Sequence, residues 1–378
     1  MISLDHHAAT PLSASVRAAI VAAHETAWAN PSSAHAAGRA ARALIERARR
    51  ELAQVVHAAP ADLVFTAGGT EACNLAVLGL AGGRDAGAHV LSSALEHPAI
   101  LGAVQQLGQR GARVELLPLV DAEPPSPAAL AAALRDDTAL VALQWVNHET
   151  GAIAPVHEYA RICRARAVPL VVDASQVLGK LPCDVSELGA TAVVFASTKM
   201  GGPAGAAALW LERGRELAAL TFGGAQERGR RAGTPDAAAL AGFGAAARAV
   251  PDRLAEMARV ASLRGRLEQV CVQLGAVVNT PSLTQRVATA SNLSVPGWRG
   301  EVLVAALDLE GLCVSAGAAC SSGLGAPSPV LRALYPDQAW RAESALRITL
   351  GPGTSESEVV QASAILQRVL GRARRPPA

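Results

Sequence analysis

The chain has 378 residues, 51% of them hydrophobic and 17% charged, which excludes a disordered chain and is enough for two domains. With 34 basic and 32 acidic residues the net charge is +2, so no overall field draws nucleic acid or an anionic membrane, and neither is expected as a partner. The opening MISLDHHAATP has no basic segment leading into an apolar core, and no apolar run nears membrane-spanning length uninterrupted, so the expectation is a soluble cytoplasmic protein.

From 33 to 56 the chain reads as an amphipathic helix, with Leu44, Ile45, Ala48, Leu52, Val55 and Val56 on one face and arginines on the other. Seven strand-like runs then alternate with helical ones: LVFTA, HVLSS, RVELLPL, ALVALQW, VPLVVDAS, TAVVFAS and AAALWL. That alternation predicts an α/β fold, a wound and mostly parallel sheet flanked by helices in one large domain. Between Asp236 and Gln273 the pattern is continuously helical, with Pro251 and Asp252 reading as a helix start, and a second domain is expected from there. ATASNLSVPG, ALDLEGLCVSAG and SALRITLG look like shorter strands separated by helices, which suits a small α+β domain, and the tail GRARRPPA reads as a frayed end. Cys73, Cys163, Cys183, Cys271, Cys313 and Cys320 are scattered without the spacing zinc requires, so they read as reduced thiols, mostly core, and no metal site is expected.

Polar groups sit where the buried runs stop. In FASTKMGG a two-sided buried strand ends at Lys199, at the sheet edge where open α/β folds bind ligands, and a partly desolvated amine there is a usable nucleophile. Asp173 closes the run VVD, an expensive place for a carboxylate unless a cation or donors meet it; capping a helix is the plainer alternative. Gly68, Gly69, Thr70 and Glu71 join a strand to a helix whose N-terminus can take an anion such as a phosphate. His97 follows another strand and carries an imidazole that can stack or exchange protons. An amine, a buried carboxylate, a phosphate cradle and a stackable ring are together what pyridoxal 5'-phosphate requires, with Lys199 holding its aldehyde.

The motifs DHHAATP, NPSSAHAAGR, FTAGGTEACNLA, LEHPAI, VNHETGAI, VDASQVLGKLPCD, KMGGPAGAAAL, GGAQERGRRAGTPD, VSAGAACSSG, VLRAL and ALRITLG occur in one order. In this the chain resembles the cysteine desulfurases of the class V aminotransferase group, over nearly its whole length. The resemblance implies a fold-type I enzyme with a large cofactor-binding domain at 13–250 and a small domain formed by 1–12 and 251–378. It implies that Thr70 binds the cofactor phosphate, His97 stacks on the ring, Asp173 pairs with the ring nitrogen, and Gln176 and Asn147 lie near the phenolic oxygen and the substrate. Thr234 would reach the phosphate of a neighbouring subunit, giving a homodimer, and Arg347 would grip the substrate α-carboxylate. Cys320, in the small and polar run SAGAACSSGLGAPSP, matches the catalytic cysteine. Where the family carries serine and histidine before the lysine, this chain has Ala196 and Thr198, with Ser197 or Thr198 as substitutes for the phosphate contact. The reaction implied is L-cysteine to L-alanine, with sulfur passing to Cys320 as a persulfide, His97 carrying protons, and then to an acceptor protein such as an iron–sulfur scaffold, a tRNA-thiolation protein or a biosynthetic carrier. Selenocysteine lyase, another β-elimination, transamination, or a weakened sulfur-relay subunit remain the alternatives.

Overall fold

The computed structural model describes residues 1–82, 87–281, 284–317 and 326–372. After a two-residue strand β1 (Ile2–Ser3), the seven apolar runs form one sheet: β2 (Leu63–Thr66), β3 (His89–Ser92), β4 (Arg113–Leu116), β5 (Thr138–Gln144), β6 (Leu170–Asp173), β7 (Ala192–Ala196) and β8 (Ala207–Leu211). The strand order is β2-β8-β7-β6-β5-β3-β4. From β7 to β4 every pairing is parallel, whereas β8 runs antiparallel to both neighbours. Two antiparallel steps return β2 to the direction of β7, so Thr66 and Ala196, which both pair with Ala207, end at the same edge of the sheet. The carboxyl ends of β3, β5 and β6 share that edge.

Successive residues along these strands alternate between two apolar cores, because β side chains have a period of two. Leu63, Phe65, Leu143, Val172, Val193 and Phe195 join one core with residues of helices α1 (Ala14–Thr26), α2 (Ala36–Val55) and the helix Ala237–Arg248. Val64, Ala142, Val171, Val194 and Leu209 join the other with α3 (Gly69–Ala81) and α4 (Pro98–Gln109). Burial on both faces is why the runs lack polar alternation. β4 is the exception, since all four of its residues are exposed at the sheet edge.

A third core gathers the rest. β9 (Val277–Val278), β10 (Ala290–Ser294) and β12 (Ala345–Thr349) form an antiparallel sheet in the order β12-β10-β9, and β11 (Leu312–Cys313) pairs in parallel with β1. Ile2 and Leu4 therefore pack with Val260, Leu293, Leu307 and Ile348. Core membership changes within the helical stretch, with Val250 in the first core and Val260 in the third. Among the described residues no helix is long and apolar enough to cross a membrane.

Two sequence expectations need correction. The arginines of α2 do not all face water: Arg49 is buried and forks onto Glu227, with Nη2 2.6 Å from Oε1 and Nη1 2.9 Å from Oε2. The stretch ERGRR is tied down by the same pair, since Glu227 also accepts from Phe65 N–H and Arg231 pairs with Glu71 at the start of α3. Cys73, Cys163, Cys183 and Cys271 are buried as expected, and burial pushes the thiols of the last three up to about 12. Cys313, expected in the core, is only half-buried, with Sγ facing Asp308 at 3.9 Å, because its strand is two residues long at the surface of the third core.

Candidate active site

The shared strand edge opens into a cavity of about 190 Å³. Thr70, His97, Asp173, Gln176, Lys199 and Arg347, all singled out from the sequence, line it. They arrive from β2–α3, β3–α4, β6, β7 and, for Arg347, from β12 of the other sheet.

Lys199 stands in the tight turn Ser197–Met200 that ends β7, and its Nζ donates to the carbonyl of Ala8 at 2.6 Å. Asp173 ends β6 and accepts from Ser175 N–H through Oδ1 at 2.9 Å, so it stabilises a turn while still lining the cavity. No helix begins there, and the capping alternative is replaced by this short side-chain turn. Beside it, burial and then the Asp173 charge push the Cys73 thiol well above its ordinary range, keeping it protonated. His97 is the N-cap of α4, its Nδ1 accepting from Ala99 N–H at 3.1 Å. That contact leaves Nε2 as the protonated nitrogen, and burial, outweighing the opposing pull of Asp173, lowers the ring's pKa. His97 is thus a neutral imidazole offering a face and one N–H, packed edge-on against His148 with ring centres 5.2 Å apart.

Gly68 caps α3 without a side chain, so the first-turn N–H groups of that helix, beside Thr70, remain oriented toward an incoming anion. A Cβ at Gly69 would stand 3.2 Å from the Ala196 side chain, a tight contact, so glycine lets this turn lie against the end of β7 without pushing it aside. Arg347 is 2% exposed, donates to His148 O at 3.1 Å and to Asp5 Oδ1 at 2.7 Å, and keeps a buried Nε–H without a partner among the described residues. Among the described residues, neither ring nitrogen of His148 has a hydrogen-bond partner either. Buried orphan groups around a polar cavity are the mark of a polar ligand, and this donor set suits a phosphorylated aromatic aldehyde and a carboxylate.

Of the four other candidates, Asn147, Ser197 and Thr234 do not line the cavity on this chain. Asn147 is buried, but its Oδ1 accepts from Glu149 N–H, Thr150 N–H and the Thr150 hydroxyl, and its Nδ2 donates to Leu95 O, so the amide closes the NHET turn while Val146 and His148 line the cavity. Ser197 Oγ is buried behind the turn, where a Cβ on Gly202 would collide with it; Thr198 lines the cavity instead. Thr234 is exposed on this chain, and Cys320 lies outside the described residues. Sequence reading passed over His7, Ala8, Gln144 and His148 as site residues, and took Cys73 only for a core thiol, yet all five line the cavity. The first two come from the N-terminal arm, whose approach to the sheet edge has no local signature.

The family profile for aminotransferase class-V matches residues 2–361. An IscS-like cysteine desulfurase of Mycobacterium tuberculosis is 39% identical over 385 residues, covering 99% of this chain and 98% of that protein. Among solved structures, a NifS-like protein superposes with a TM-score of 0.90 at 27% identity, covering 98% of this chain and 99% of that one. A structure described as SspA in complex with cysteine reaches 0.81 at 28% identity over 94% and 100% of the two chains. The seven-stranded sheet with its flanking helices is accordingly that of the fold-type I pyridoxal-phosphate enzymes. With a profile match along nearly its whole length and this level of identity, the chain belongs to the cysteine desulfurases of the class-V aminotransferase family.

Proposed function

We propose that this enzyme converts L-cysteine to L-alanine at the cavity described above, passing the sulfur to Cys320 and then to an acceptor protein. The observation that carries the reading is the convergence of Lys199, Asp173, His97 and the N-terminus of α3 on one small cavity with Arg347 in its wall. When bound, pyridoxal phosphate supplies the electron sink for cleavage at the substrate carbon. Thr70 and the first turn of α3 would hold its phosphate, Asp173 would pair with its ring nitrogen, His97 would stack on its ring, and Lys199 would hold its aldehyde. Once free, Lys199 Nζ takes the substrate α-proton. The unused N–H groups of Arg347 bind the α-carboxylate, while Asp5 and His148 O fix the guanidinium in place.

The Cys320 assignment draws support from the chain beside it. Ser328 donates to the buried Glu149 at 2.5 Å, and Gly317, at φ 84°, lies where a Cβ would be 3.0 Å from the same carboxylate. Glu149 adjoins the cavity-lining His148, so the chain before and after Cys320 is anchored next to the site. A homodimer sharing its sites through Thr234 is supported by the exposed Leu220 and Phe222 just ahead of that loop. The test is incubation of the pyridoxal-phosphate-loaded protein with L-cysteine and a reductant, measuring alanine and sulfide together. Equal amounts of both are expected; a keto acid in place of alanine would overturn the reading in favour of transamination.

A further inference from the structure

Resting on the cofactor reading above, the geometry around Gln176 settles what that residue offers the cavity. A side-chain amide accepts at Oε1 and donates twice at Nε2, and its partners tell the two ends apart. Lys180 Nζ, a group that donates, lies 3.0 Å from Oε1. The backbone carbonyl of His7, which can only accept, lies 3.0 Å from Nε2. A flipped amide would set donor against donor and acceptor against acceptor. Gln176 and His7 line the cavity and Lys180 does not, which assigns the Nε2 end to the cavity, and among the described residues one of its hydrogens has no acceptor.

Lys180 itself is unusual. It is 7% exposed, and among the described residues it has no acidic partner within ion-pair distance. Its charged neighbours are the cations Lys199 and Arg253, with His6 and His7 close by, and burial ahead of those charges lowers its pKa to about 7. Its second contact is the backbone carbonyl of Lys199 at 3.1 Å. Two acceptors need two N–H groups, which the neutral amine and the ammonium both supply, so the arrangement survives the loss of the charge. Burying an amine this way is costly unless its hydrogen bonds do something a hydrocarbon could not.

We propose that Lys180 is a positioning residue that locks Gln176 with its NH2 toward the cavity and pins the backbone of Lys199, so that the phenolic oxygen of the cofactor always meets a donor. A donor there stabilises the oxyanion, so it lowers the pH at which the bound cofactor loses its proton. Wild-type, Lys180→Met, Gln176→Ala and the double variant, each loaded with pyridoxal phosphate, are titrated by visible absorbance. Lys180→Met is expected to raise the midpoint by about one pH unit, the scale of one lost hydrogen bond to a charged group. Gln176→Ala should raise it similarly, and the double variant no further than Gln176→Ala alone. An unshifted Lys180→Met, or a shift that adds in full to that of Gln176→Ala, overturns the inference, the second because Lys180 would then act by its charge alone. The cofactor-free Lys180→Met protein should melt no lower than the wild type, since an apolar chain replaces a buried amine. If it does not fold, Gln176→Glu decides: Lys180 is intact but no cavity donor remains, and an unmoved midpoint refutes the orientation argument. A wild-type protein that acquires no visible band with the cofactor overturns both this inference and the reading it rests on, whereas a wild-type band with unmoved variants overturns this inference alone.

Discussion

Replacing Glu227 by alanine tests whether the loop from 223 to 235 is held by a buried charge pair. The side chains of Arg49 and Glu227 are 4% and 5% exposed, and both guanidinium nitrogens of the fork are engaged. Arg49 also donates to Leu63 O at 3.0 Å and lies over the Phe65 ring at 4.5 Å, so it cannot swing out without breaking the packing on β2. Alanine leaves a buried cation short of its partner, at a cost of about 3–5 kcal/mol. Glu46 softens this, because it stays 3.1 Å from Arg49 Nε and is itself 41% exposed. The orphaned Phe65 N–H adds about 1 kcal/mol or more. A net loss of about 4 kcal/mol is expected, read by urea denaturation of the cofactor-free protein with tryptophan fluorescence, Trp210 being the β8 partner of Leu63. The double variant Arg49→Met/Glu227→Gln should recover most of it, since no charge is stranded and Phe65 N–H keeps an acceptor. A Glu227→Ala protein within about 1 kcal/mol of wild type would refute the reasoning, because a buried guanidinium left with only the half-exposed Glu46 and one carbonyl cannot be that cheap.

Arg347→Lys should raise KM for L-cysteine by about 10- to 100-fold with a smaller change in kcat, since lysine cannot hold Asp5, His148 O and a carboxylate together. Cys320→Ala should keep the visible band of the bound cofactor yet fail to accumulate persulfide and lose most alanine formation; sulfide release at the wild-type rate would contradict its role. Mixed dimers of Lys199→Ala and Thr234→Ala protomers should regain part of the wild-type activity if Thr234 acts across the interface, and no recovery in confirmed heterodimers would count against it. Burial, then the Lys180 charge, lowers the His6 pKa to about 4 from 6.5, so the native protein takes up its proton later than the unfolded chain. Stability from this group is complete above 6.5 and falls as the pH drops toward 4, by up to about 3 kcal/mol, so His6→Asn should flatten the acid side of the stability profile measured by urea unfolding.

The sheet could be read from the chain because two-sided burial writes itself as unbroken apolar runs, and six of the seven were buried as such. RVELLPL was read the same way yet forms the exposed edge, since one strand's composition does not say whether a neighbour covers it. Lys199 and Asp173 were visible because a charge ending an apolar run is locally anomalous. Asn147 and Ser197 show where that logic stops: each sits next to cavity residues, but the backbone points its side chain elsewhere, and sequence adjacency cannot tell the two orientations apart. Arg49 followed the helical period of its neighbours only approximately, and its partner lies 178 residues away.

The segment from Ile2 to Ala8 gives the assembly a timetable. Its partners are late in the chain: Leu4 O receives the N–H of Thr349, Asp5 receives Arg347 Nη2, and β1 pairs with β11. Asp5 and Arg347 are 342 residues apart, and at roughly 5–20 residues per second that interval takes on the order of 20–70 s of synthesis. Until then Ile2 and Leu4 have no core to enter, so the contacts of His7 and Ala8 with Gln176 and Lys199 lack the anchored strand that leads into them. The large sheet can form on the ribosome with its ligand-binding edge open, while the wall supplied by Arg347 and the Asp5 that fixes it is finished only once β12 has been made.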